Sequence, residues 1–538
     1  MAFTLTRRSG GPYGKEFWEQ VCGFLDYSGS QFFKTQETLL AQQIDKLGQL
    51  PVAGIMRTAS SPRSISELRR DFRLTTYEDY AACLRQEYRR QAGSADTVWA
   101  FTSYGAGNEK WVPYTAQGLD VLTRGVMAAI VLAAAEKPGD VKVGPGDRVI
   151  YNVPPRPYLA GIVAVEIARR YGLKGVIPPE EAEQLEFRHR TRAEFKKALN
   201  TGVDVLISMT SVLNRISDTF SNDSAQDNTQ AGGAGRSGLG LRGMTRYAAS
   251  KARARISGRR MIPADLWKPK AIVGWGLDTR FYRDRIGEQW GRSPYELYAS
   301  TEAGPMGVQY RDDGGIALNP EACFFEFVPE SEIDAALSDD AYSPKTALLD
   351  EVKHGGLYEV VITSFYGMPF VRYRTGQLVR FTDSYLGYGP ELEYIGRADE
   401  RIDIGGFTRI DEATLWKSVA ECGTAITDWV LRREVDGSGP VLHLYAETSV
   451  TAPDSDLVER LHASLIRNDP LYADLESMLG MSPLRFTRLS AGTFDRFYEE
   501  RRNAGVDLMS RKPKRMNADD ETVGRLLRMS GRAEEIAA

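Results

Sequence analysis

The fold is decided by residues 148–177, which read RVIYNVPPRPYLAGIVAVEIARRYGLKGVI. The apolar run at 148–151 predicts a buried strand, and residues 159–171 predict a helix that ends at Gly172, because glycine commonly terminates helices. Residues 175–177 predict a second strand. A strand, a helix and a strand at this spacing indicate a parallel sheet covered by helices.

Predicted helices and strands continue on both sides of this stretch. Residues 1 to about 95 predict amphipathic helices, and VDVLIS at 203–208 predicts another buried strand. Beyond about residue 397 the sequence predicts an α+β segment, with a strand at 440–445 and a helix at 455–466. We therefore predict an α/β protein with mixed β-sheets and covering helices in a large N-terminal domain, 1–396, and a small mobile α+β C-terminal domain, 397–538.

Residues 221–243, SNDSAQDNTQAGGAGRSGLGLRG, interrupt this pattern. Glycine, serine, asparagine, aspartate and glutamine dominate the segment, and apolar residues show no period. Such a composition cannot form a packed core. We predict a flexible surface insertion in the large domain.

Composition excludes several classes of function. The 538 residues carry 68 Lys and Arg against 72 Asp and Glu, a net charge of −4. This balance lacks the positive charge that attracts phosphate backbones, so we expect no nucleic-acid partner. The four cysteines form no CxxC pair and the four histidines show no metal-ligand spacing. We expect a reduced, cytoplasmic protein whose cysteines are structural.

The sequence also argues against a membrane partner. The N-terminal MAFTLTRRSGGPYGKEFW has no apolar core of the kind a signal peptide needs. The longest apolar run, 126–135, is too short to span a bilayer and predicts a buried helix.

Four short motifs carry residues suited to nucleotide chemistry. The first combines hydroxyls with glycines that let backbone N–H groups approach a phosphate. The second joins an aromatic ring, two hydroxyls and a carboxylate, an oxygen ligand that suits Mg²⁺. Taken singly, each is also compatible with a turn or a solvated ion pair. The motifs are TSYGAGNEK at 102–110, ELYASTEAG at 296–304, VRYRTGQL at 371–378 and YIGRADER at 394–401.

The order and spacing of the four motifs resemble the adenylate-forming superfamily of acyl-CoA synthetases, peptide adenylation domains and luciferases. Further segments resemble one branch, the acyl acid–amido synthetases, which include the plant auxin- and jasmonate-conjugating enzymes. Phenylacetate–CoA ligases are neighbours of that branch. The segments are LTTYEDY at 74–80, KWVPYT at 110–115, IPADLW at 262–267, CFFEFVP at 323–329 and GTFD at 492–495.

The resemblance implies the two-domain fold of that superfamily, ATP and Mg²⁺ as cofactors, and a role for each motif residue. Glu302 would bind Mg²⁺, Arg397 would face the ribose and phosphate, and Asp399 would be the hinge between the domains. Lys512, with Lys514 as the fallback, would be the late lysine that meets the carboxylate and α-phosphate. The other implied nucleotide-binding residues are Thr102, Ser103, Gly105, Gly107, Tyr298, Ser300, Thr301 and Gln377.

Two positions depart from the family pattern. Gln377 stands where relatives have the aspartate that binds both ribose hydroxyls, and an uncharged partner makes a weaker hydrogen bond. Asp383 is the candidate substitute. Asn108 stands where many relatives carry lysine, and Lys110 is the candidate compensation.

The sequence and the resemblance together predict a ligase that adenylates a small carboxylic acid and transfers the acyl group to an amine, an amino acid by preference. The alternatives are a CoA ligase, an enzyme that activates an oxyacid such as nitrite for N–N bond formation, and a degenerate nucleotide-binding protein. The acid site is expected at the carboxyl ends of strands, near Tyr151, 208–212 or 274–276. The oligomeric state stays open.

Overall fold

A computed structural model describes most of the chain. The described residues are 13–47, 64–91, 97–104, 108–185, 187–210, 212–214, 216–217, 240–338, 342–404, 408–423, 426–436, 439–450, 452–469, 472, 484–506 and 512–532. They divide into two compact units. The large unit contains the segments up to 102, 110–375 and 380–393, and the small unit contains 103–109, 376–379 and the segments from 394 onward.

Eighteen strands lie in these residues, and eleven of them form one mixed sheet. The strands are β1 Thr97–Tyr104, β2 Asn108–Thr115, β3 Arg148–Asn152, β4 Lys174–Gly175, β5 Val205–Ser208, β6 Ala271–Gly274, β7 Tyr295–Ser300, β8 Gly304–Gln309, β9 Ile316–Leu318, β10 Cys323–Pro329, β11 Leu357–Ser364, β12 Tyr373–Leu386, β13 Gly389–Arg397, β14 Ile402–Ile404, β15 Thr408–Ile410, β16 Ile426–Asp436, β17 Gly439–Thr448 and β18 Leu484–Leu489.

The large sheet has the order β10-β11-β12-β13-β9-β8-β7-β6-β5-β3-β4. Strands β3 to β7 pair in parallel, and β8 and β9 continue the sheet in antiparallel pairing. The parallel strands β5 and β6 are buried along their whole length, as expected for strands covered on both faces. The predicted parallel sheet is confirmed: β3 begins at Arg148, and the following helix, Leu159–Tyr171, ends at Gly172 in the left-handed conformation, φ 67°.

Helices cover the sheet and form the N-terminal region that the periodicity predicts. The largest buried one, Ala116–Ala134, contains the apolar run and packs against β6 and β8. By length and composition alone this helix could cross a membrane, but most of it is buried inside the protein, which is typical of a core helix. The other α-helices of the large unit are Lys15–Cys22, Gly29–Leu47, Ile65–Asp71, Tyr77–Gln91, Leu159–Tyr171, Pro179–Ala182, Phe187–Thr201, Leu241–Ile256, Pro263–Leu266, Asp278–Trp290 and Glu330–Ser338.

The small unit has its own sheet and core. Strand β17 lies between β16, to which it is antiparallel, and β18, to which it is parallel. The predicted strand 440–445 is part of β17, and the predicted helix 455–466 is observed as Asp454–Asn468. Its α-helices are Glu412–Glu421, Asp454–Asn468, Thr493–Asn503 and Asp520–Met529.

Two local predictions need correction. The predicted insertion 221–243 lies outside the described residues up to 239, but its last three residues begin the helix Leu241–Ile256. Thr102 and Ser103 belong to β1 and Asn108 begins β2, so both ends of the predicted hydroxyl and glycine loop are strands of a two-stranded sheet. Gly105 and Gly107 lie outside the described residues.

Candidate functional site

The large unit brings three motif residues into one buried cluster, Lys110, Glu302 and Tyr373. The Lys110 ammonium forms an ion pair with Glu302 Oε1 and donates a hydrogen bond to the Tyr373 hydroxyl at 2.5 Å. The Tyr373 hydroxyl donates to the same Oε1 at 2.8 Å. Lys110 and Glu302 are each 6% exposed. Lys110 is 263 positions and Glu302 is 71 positions from Tyr373 along the chain, yet the three side chains meet at one carboxylate oxygen.

Electrostatics keep this carboxylate ionised. Burial alone would raise the pKa of Glu302, but the Lys110 charge and the hydrogen bonds from Lys110 and Tyr373 hold the pKa below its usual range. The Lys110 ammonium also lies 4.9 Å from the centroid of the Tyr77 ring, within the range of a cation–π contact. The cluster is a charged site that is fully compensated by its own partners.

The position of Tyr373 depends on the N-terminal LTTYEDY segment. Backbone hydrogen bonds from Thr75 N to Arg372 O, 2.9 Å, and from Arg374 N to Thr75 O, 2.8 Å, form a parallel bridge around Tyr373. The Thr75 hydroxyl donates to Val371 O at 2.7 Å. These bonds hold Tyr373 at the start of β12, where its hydroxyl reaches Glu302.

Arg372 is held by a second buried ion pair. Its Nη2 and Nε donate to the two oxygens of Glu326 at 2.9 and 3.1 Å, and it has φ 44°, a conformation that costs energy in any residue other than glycine. Such a bidentate pair fixes orientation as well as charge. The first arginine of RYRTG is therefore a structural anchor beneath Tyr373, not a solvated surface charge.

The remaining predicted residues of the large unit are near members of this cluster in sequence: Tyr298, Ser300 and Thr301 precede Glu302, and Thr102 precedes Lys110. Tyr298 is 3% exposed, so its ring packs in the interior, where an adenine could reach it only after rearrangement. Ser300 Oγ accepts a hydrogen bond from Ala303 N at 3.2 Å, and Thr301 O accepts one from the Tyr114 hydroxyl at 2.7 Å. These two bonds shape the turn that presents Glu302. Thr102, at the end of β1, is partly buried.

A second group of predicted residues lies in the small unit. Arg397 ends β13, and its Nε donates to Asp399 Oδ1 at 2.9 Å. Lys514 Nζ donates to the Asp399 carbonyl at 3.3 Å. Burial, reinforced by the charges of Glu412 and Asp399, raises the pKa of Glu400 to about 7. Lys512 is exposed. Within this unit Lys514 therefore lies beside the GRAD motif, whereas the position of Lys512 relative to that motif stays a prediction.

The departures from the family pattern have different outcomes. Gln377 lies in β12 within the small unit. The Asp383 side chain is 99% exposed, 3.5 Å from His354 Nδ1 in the large unit, and its role as a substitute stays a prediction. Lys110, the predicted compensation for Asn108, is bound to Glu302 as described. The four cysteines form no disulfide, and burial raises the pKa of Cys22 and Cys323, which makes them poor nucleophiles.

The three candidate segments for the acid site follow neighbouring parallel strands. Asn152 at the end of β3 donates through Nδ2 to Ser208 Oγ at the end of β5, 3.1 Å, and Thr191 donates to Asn152 Oδ1 at 2.8 Å. At the end of β6, a Cβ on Gly274 would come within 2.8 Å of the side chains of Thr210 and Thr279, so only glycine fits. The strand ends form one polar edge, the usual place for ligands in such sheets.

The residues also allow a test of the predicted magnesium. Mg²⁺ in proteins is held by one or two carboxylates together with substrate phosphates and water. Among the described residues, no three His, Cys, Asp or Glu side chains form a metal-binding group. Glu302 supplies a single carboxylate, and the contacts of Lys110 and Tyr373 fall on Oε1. The donor set would fit a Mg²⁺ held mainly by phosphates, for which Glu302 would be the protein ligand.

Comparison with known proteins gives matches to part of the sequence. Residues 316–397 match the GH3 family central domain. An indole-3-acetic acid-amido synthetase, GH3.10 of Arabidopsis thaliana, is 34% identical over 90 residues, 16% of this chain and 15% of that protein. A jasmonoyl–L-amino acid synthetase, JAR4 of Nicotiana attenuata, is 36% identical over 88 residues, 16% of this chain and 14% of that protein. The matched segment is thus only about one seventh of these relatives' length.

Solved structures extend the likeness to almost the whole chain. The AtGH3.15 acyl acid amido synthetase in complex with 2,4-DB superposes with a TM-score of 0.67 over 96% of this chain and 97% of that chain, at 16% identity. A 2-hydroxyisobutyryl-CoA ligase in the postadenylation state has a TM-score of 0.50 over 88% of this chain and 85% of its own, at 13% identity. The predicted resemblance to acyl acid–amido synthetases and the adenylate-forming fold are confirmed.

Sequence reasoning missed the role of Tyr373 and underrated Lys110. Tyr373 lies within the quoted RYRTG motif, but a motif does not show which side chain turns inward. Lys110 lies in β2, and its distance from Glu302 along the chain hid their pairing. No alternation along β2 marks Lys110, because Lys110, Trp111 and Val112 are all buried.

Proposed function

We propose that this chain is an ATP-dependent ligase that adenylates a small carboxylic acid and then transfers the acyl group to an amine, an amino acid by preference. The cluster of Lys110, Glu302 and Tyr373 carries the proposal, because it joins three of the motif segments at one buried carboxylate. The fold shared with an acyl acid amido synthetase supports it.

The chemistry requires charge neutralisation and positioning. A carboxylate is a poor electrophile. Attack of its oxygen on the α-phosphate of ATP forms the acyl-adenylate and releases pyrophosphate, and the amine then attacks the acyl carbon and displaces AMP, a good leaving group. Glu302 would hold Mg²⁺, which would neutralise phosphate charge when bound. Lys512 would stabilise the charge that builds on the carboxylate and α-phosphate in the transition state. The assignment of Arg397 and Asp399 to ribose and hinge, and a cytoplasmic location, are part of the same proposal.

The test is ATP–pyrophosphate exchange with a panel of small acids, followed by mass spectrometry of products formed with amino acids or CoA. We expect acid-dependent exchange and an amide product. A thioester would reassign the acceptor and leave adenylation intact. Exchange that depends on nitrite would point to an oxyacid substrate. A complete lack of exchange across the panel, in protein that still melts cooperatively, would show a degenerate member and contradict the proposal.

A further inference from the structure

The helix Leu241–Ile256 lies in a segment with a high concentration of positive charge. Residues 240–264 contain seven Lys and Arg and no Asp or Glu, although the whole chain has a net charge of −4. The helix Phe187–Thr201, which packs against it, adds five Lys and Arg and one acidic residue, the buried Glu194. The two helices therefore place a strongly basic region on a protein that is acidic overall.

One side of the helix Leu241–Ile256 is fixed to the large unit. Gly243, Ser250 and Ala254 are buried, and the Ser250 hydroxyl donates to the Asp265 carbonyl at 2.6 Å. Gly243 N donates to Asn200 Oδ1 in the neighbouring helix at 3.1 Å. Small side chains thus face the interior, and the opposite side of the helix faces solvent.

The solvent-facing side carries apolar residues. Leu241, Ala248, Ala252 and Ile256 are spaced by seven, four and four positions, so they form one stripe along the helix, which we call the apolar ridge. All four are exposed, Leu241 at 79% and Ile256 at 86%, and Met244 beside them is 43% exposed. Such large exposed hydrophobic side chains are concentrated here, since this helix holds three of the six found among the described residues.

Cations flank the apolar ridge on both sides. Lys251 and Arg255 follow one side of it, Arg242 and Arg253 follow the other, and all four residues are exposed. An apolar stripe between two rows of cations is typical of a helix that lies in the interface of an anionic membrane, where the apolar side chains insert and the cations meet the headgroups.

The same features disfavour other anionic partners. A nucleic-acid backbone attracts the cations, but it offers no partner for the aliphatic side chains of Leu241 and Ile256. A protein that encloses a basic amphipathic helix from several sides is excluded, because the side with Gly243 and Ala254 is buried in the large unit. A flat anionic surface that approaches from solvent uses both the apolar ridge and its flanking cations.

We propose that the solvent-facing side of the helix Leu241–Ile256 is a docking surface for the anionic face of a lipid bilayer. Leu241 and Ile256 insert between the headgroups, and the flanking cations contact lipid phosphates and carboxylates. Our expectation of no membrane partner rests on the lack of a signal peptide and of a spanning run, and a helix that lies on the bilayer needs neither. Such docking is reversible and weakened by salt, and it is independent of the proposed ligase activity.

The test is co-sedimentation of the full chain with phosphatidylcholine vesicles that contain about 30 mol% phosphatidylserine, and with vesicles of phosphatidylcholine alone. We expect binding to the anionic vesicles that weakens as salt is raised. Lys251→Glu with Arg255→Glu should lower the partition coefficient by about 25-fold or more, because each basic residue near an anionic membrane contributes roughly fivefold. Leu241→Ser with Ile256→Ser keeps every charge and should also weaken binding, since it removes the inserted side chains.

Arg85→Glu with Arg89→Glu is the matched control. It makes the same change in net charge, at the same spacing of four positions, on exposed residues of another helix of the large unit, Tyr77–Gln91. This variant should bind the anionic vesicles as the unmodified chain does, and thermal melting verifies that all variants are folded.

Three results would overturn the proposal. The unmodified chain could fail to bind anionic vesicles, or the control variant could lose as much binding as Lys251→Glu with Arg255→Glu, which would make net charge the cause. The chain could also bind single-stranded RNA but not vesicles, with RNA binding lost in Lys251→Glu with Arg255→Glu, which would assign this surface to nucleic acid.

Discussion

Two glutamates of the large unit are buried to a similar degree and behave in opposite ways. Glu302 is 6% exposed and Glu194 is 1% exposed. Glu302 contacts the Lys110 ammonium and the Tyr373 hydroxyl, and its pKa lies below the usual range. Glu194 has an oxygen without a partner among the described residues, and its pKa is raised to about 8. Burial is thus the shared cost, and the partners decide whether the carboxyl is charged.

The difference indicates two kinds of site. A carboxylate whose charge is compensated can exchange one cation for another, which suits the proposed magnesium ligand. A carboxyl with an oxygen that has no partner among the described residues keeps its proton instead, which suits a neutral hydrogen-bonding group. The following predictions test this contrast.

The largest expected effect is that of Glu302→Ala, which should abolish pyrophosphate exchange. It would also leave Lys110 buried without its carboxylate, at a cost of about 3–5 kcal/mol in unfolding free energy. The double variant Lys110→Met with Glu302→Leu separates the two losses, because it removes both charges and should recover stability without activity. Exchange retained by Glu302→Ala would disprove the catalytic role of this carboxylate.

Lys512→Ala should slow adenylation greatly, on the order of 10²-fold in kcat, because it removes a cation that acts in the transition state. Lys514→Ala is the paired control, and its ammonium is already engaged with the Asp399 carbonyl. Single-turnover rates of adenylate formation measure both. If Lys514→Ala is slow and Lys512→Ala is fast, the assignment of the late lysine is off by two residues.

Glu194→Gln should change the pH dependence of stability. Between the ordinary value of 4.5 and about 8, the folded chain keeps a proton on Glu194 that the unfolded chain has released. The free energy of unfolding therefore falls as pH rises through this window, by at most ~5 kcal/mol.

In Glu194→Gln the fall in unfolding free energy between pH 5 and 9 that is due to Glu194 should vanish. Urea titrations at pH 5, 7 and 9 would show this. Glu302→Gln serves as the contrast. The lowered pKa of Glu302 gives a contribution that is lost only as pH falls below the ordinary value of 4.5, so Glu302→Gln should leave the change in unfolding free energy between pH 5 and 9 as it is in the unmodified chain. Equal slopes in the unmodified chain and Glu194→Gln would mean that Glu194 is ionised when folded.

The smallest effect expected is a difference between two phenol deletions. Tyr373→Phe removes a hydroxyl that donates to a carboxylate and should cost about 1.5–3 kcal/mol. Tyr151→Phe removes a buried hydroxyl that has no partner among the described residues, so stability should stay the same or rise. Denaturant midpoints compare the two. A similar loss in both variants would show that the Tyr151 hydroxyl is satisfied in solution.

Much of the architecture follows from patterns within short segments. The buried strand at 148, the helix that ends at Gly172 and the continuous apolar strands of the parallel sheet all depend on residues close in sequence. The extent of the loop predicted at 102–110 was wrong, because glycines and hydroxyls are common in loops, whereas residues 102–104 and 108–110 lie in strands.

In the candidate site, too, some residues could be predicted from the sequence and others could not. Glu302 could be chosen from its motif, since a carboxylate after a strand is a recognisable pattern. Its partners could not, because Lys110 and Tyr373 are far from it along the chain and from each other. The buried pair of Arg372 and Glu326 was similarly hidden, and its arginine resembled a surface charge.

The order of chemistry-bearing residues along the chain determined the class of protein, because motif composition and spacing are properties of the sequence itself. Tertiary structure decided which charges are paired, which hydroxyls are buried and which carboxyl keeps its proton. These properties depend on local dielectric and on contacts between distant segments, and both arise only when the chain is packed.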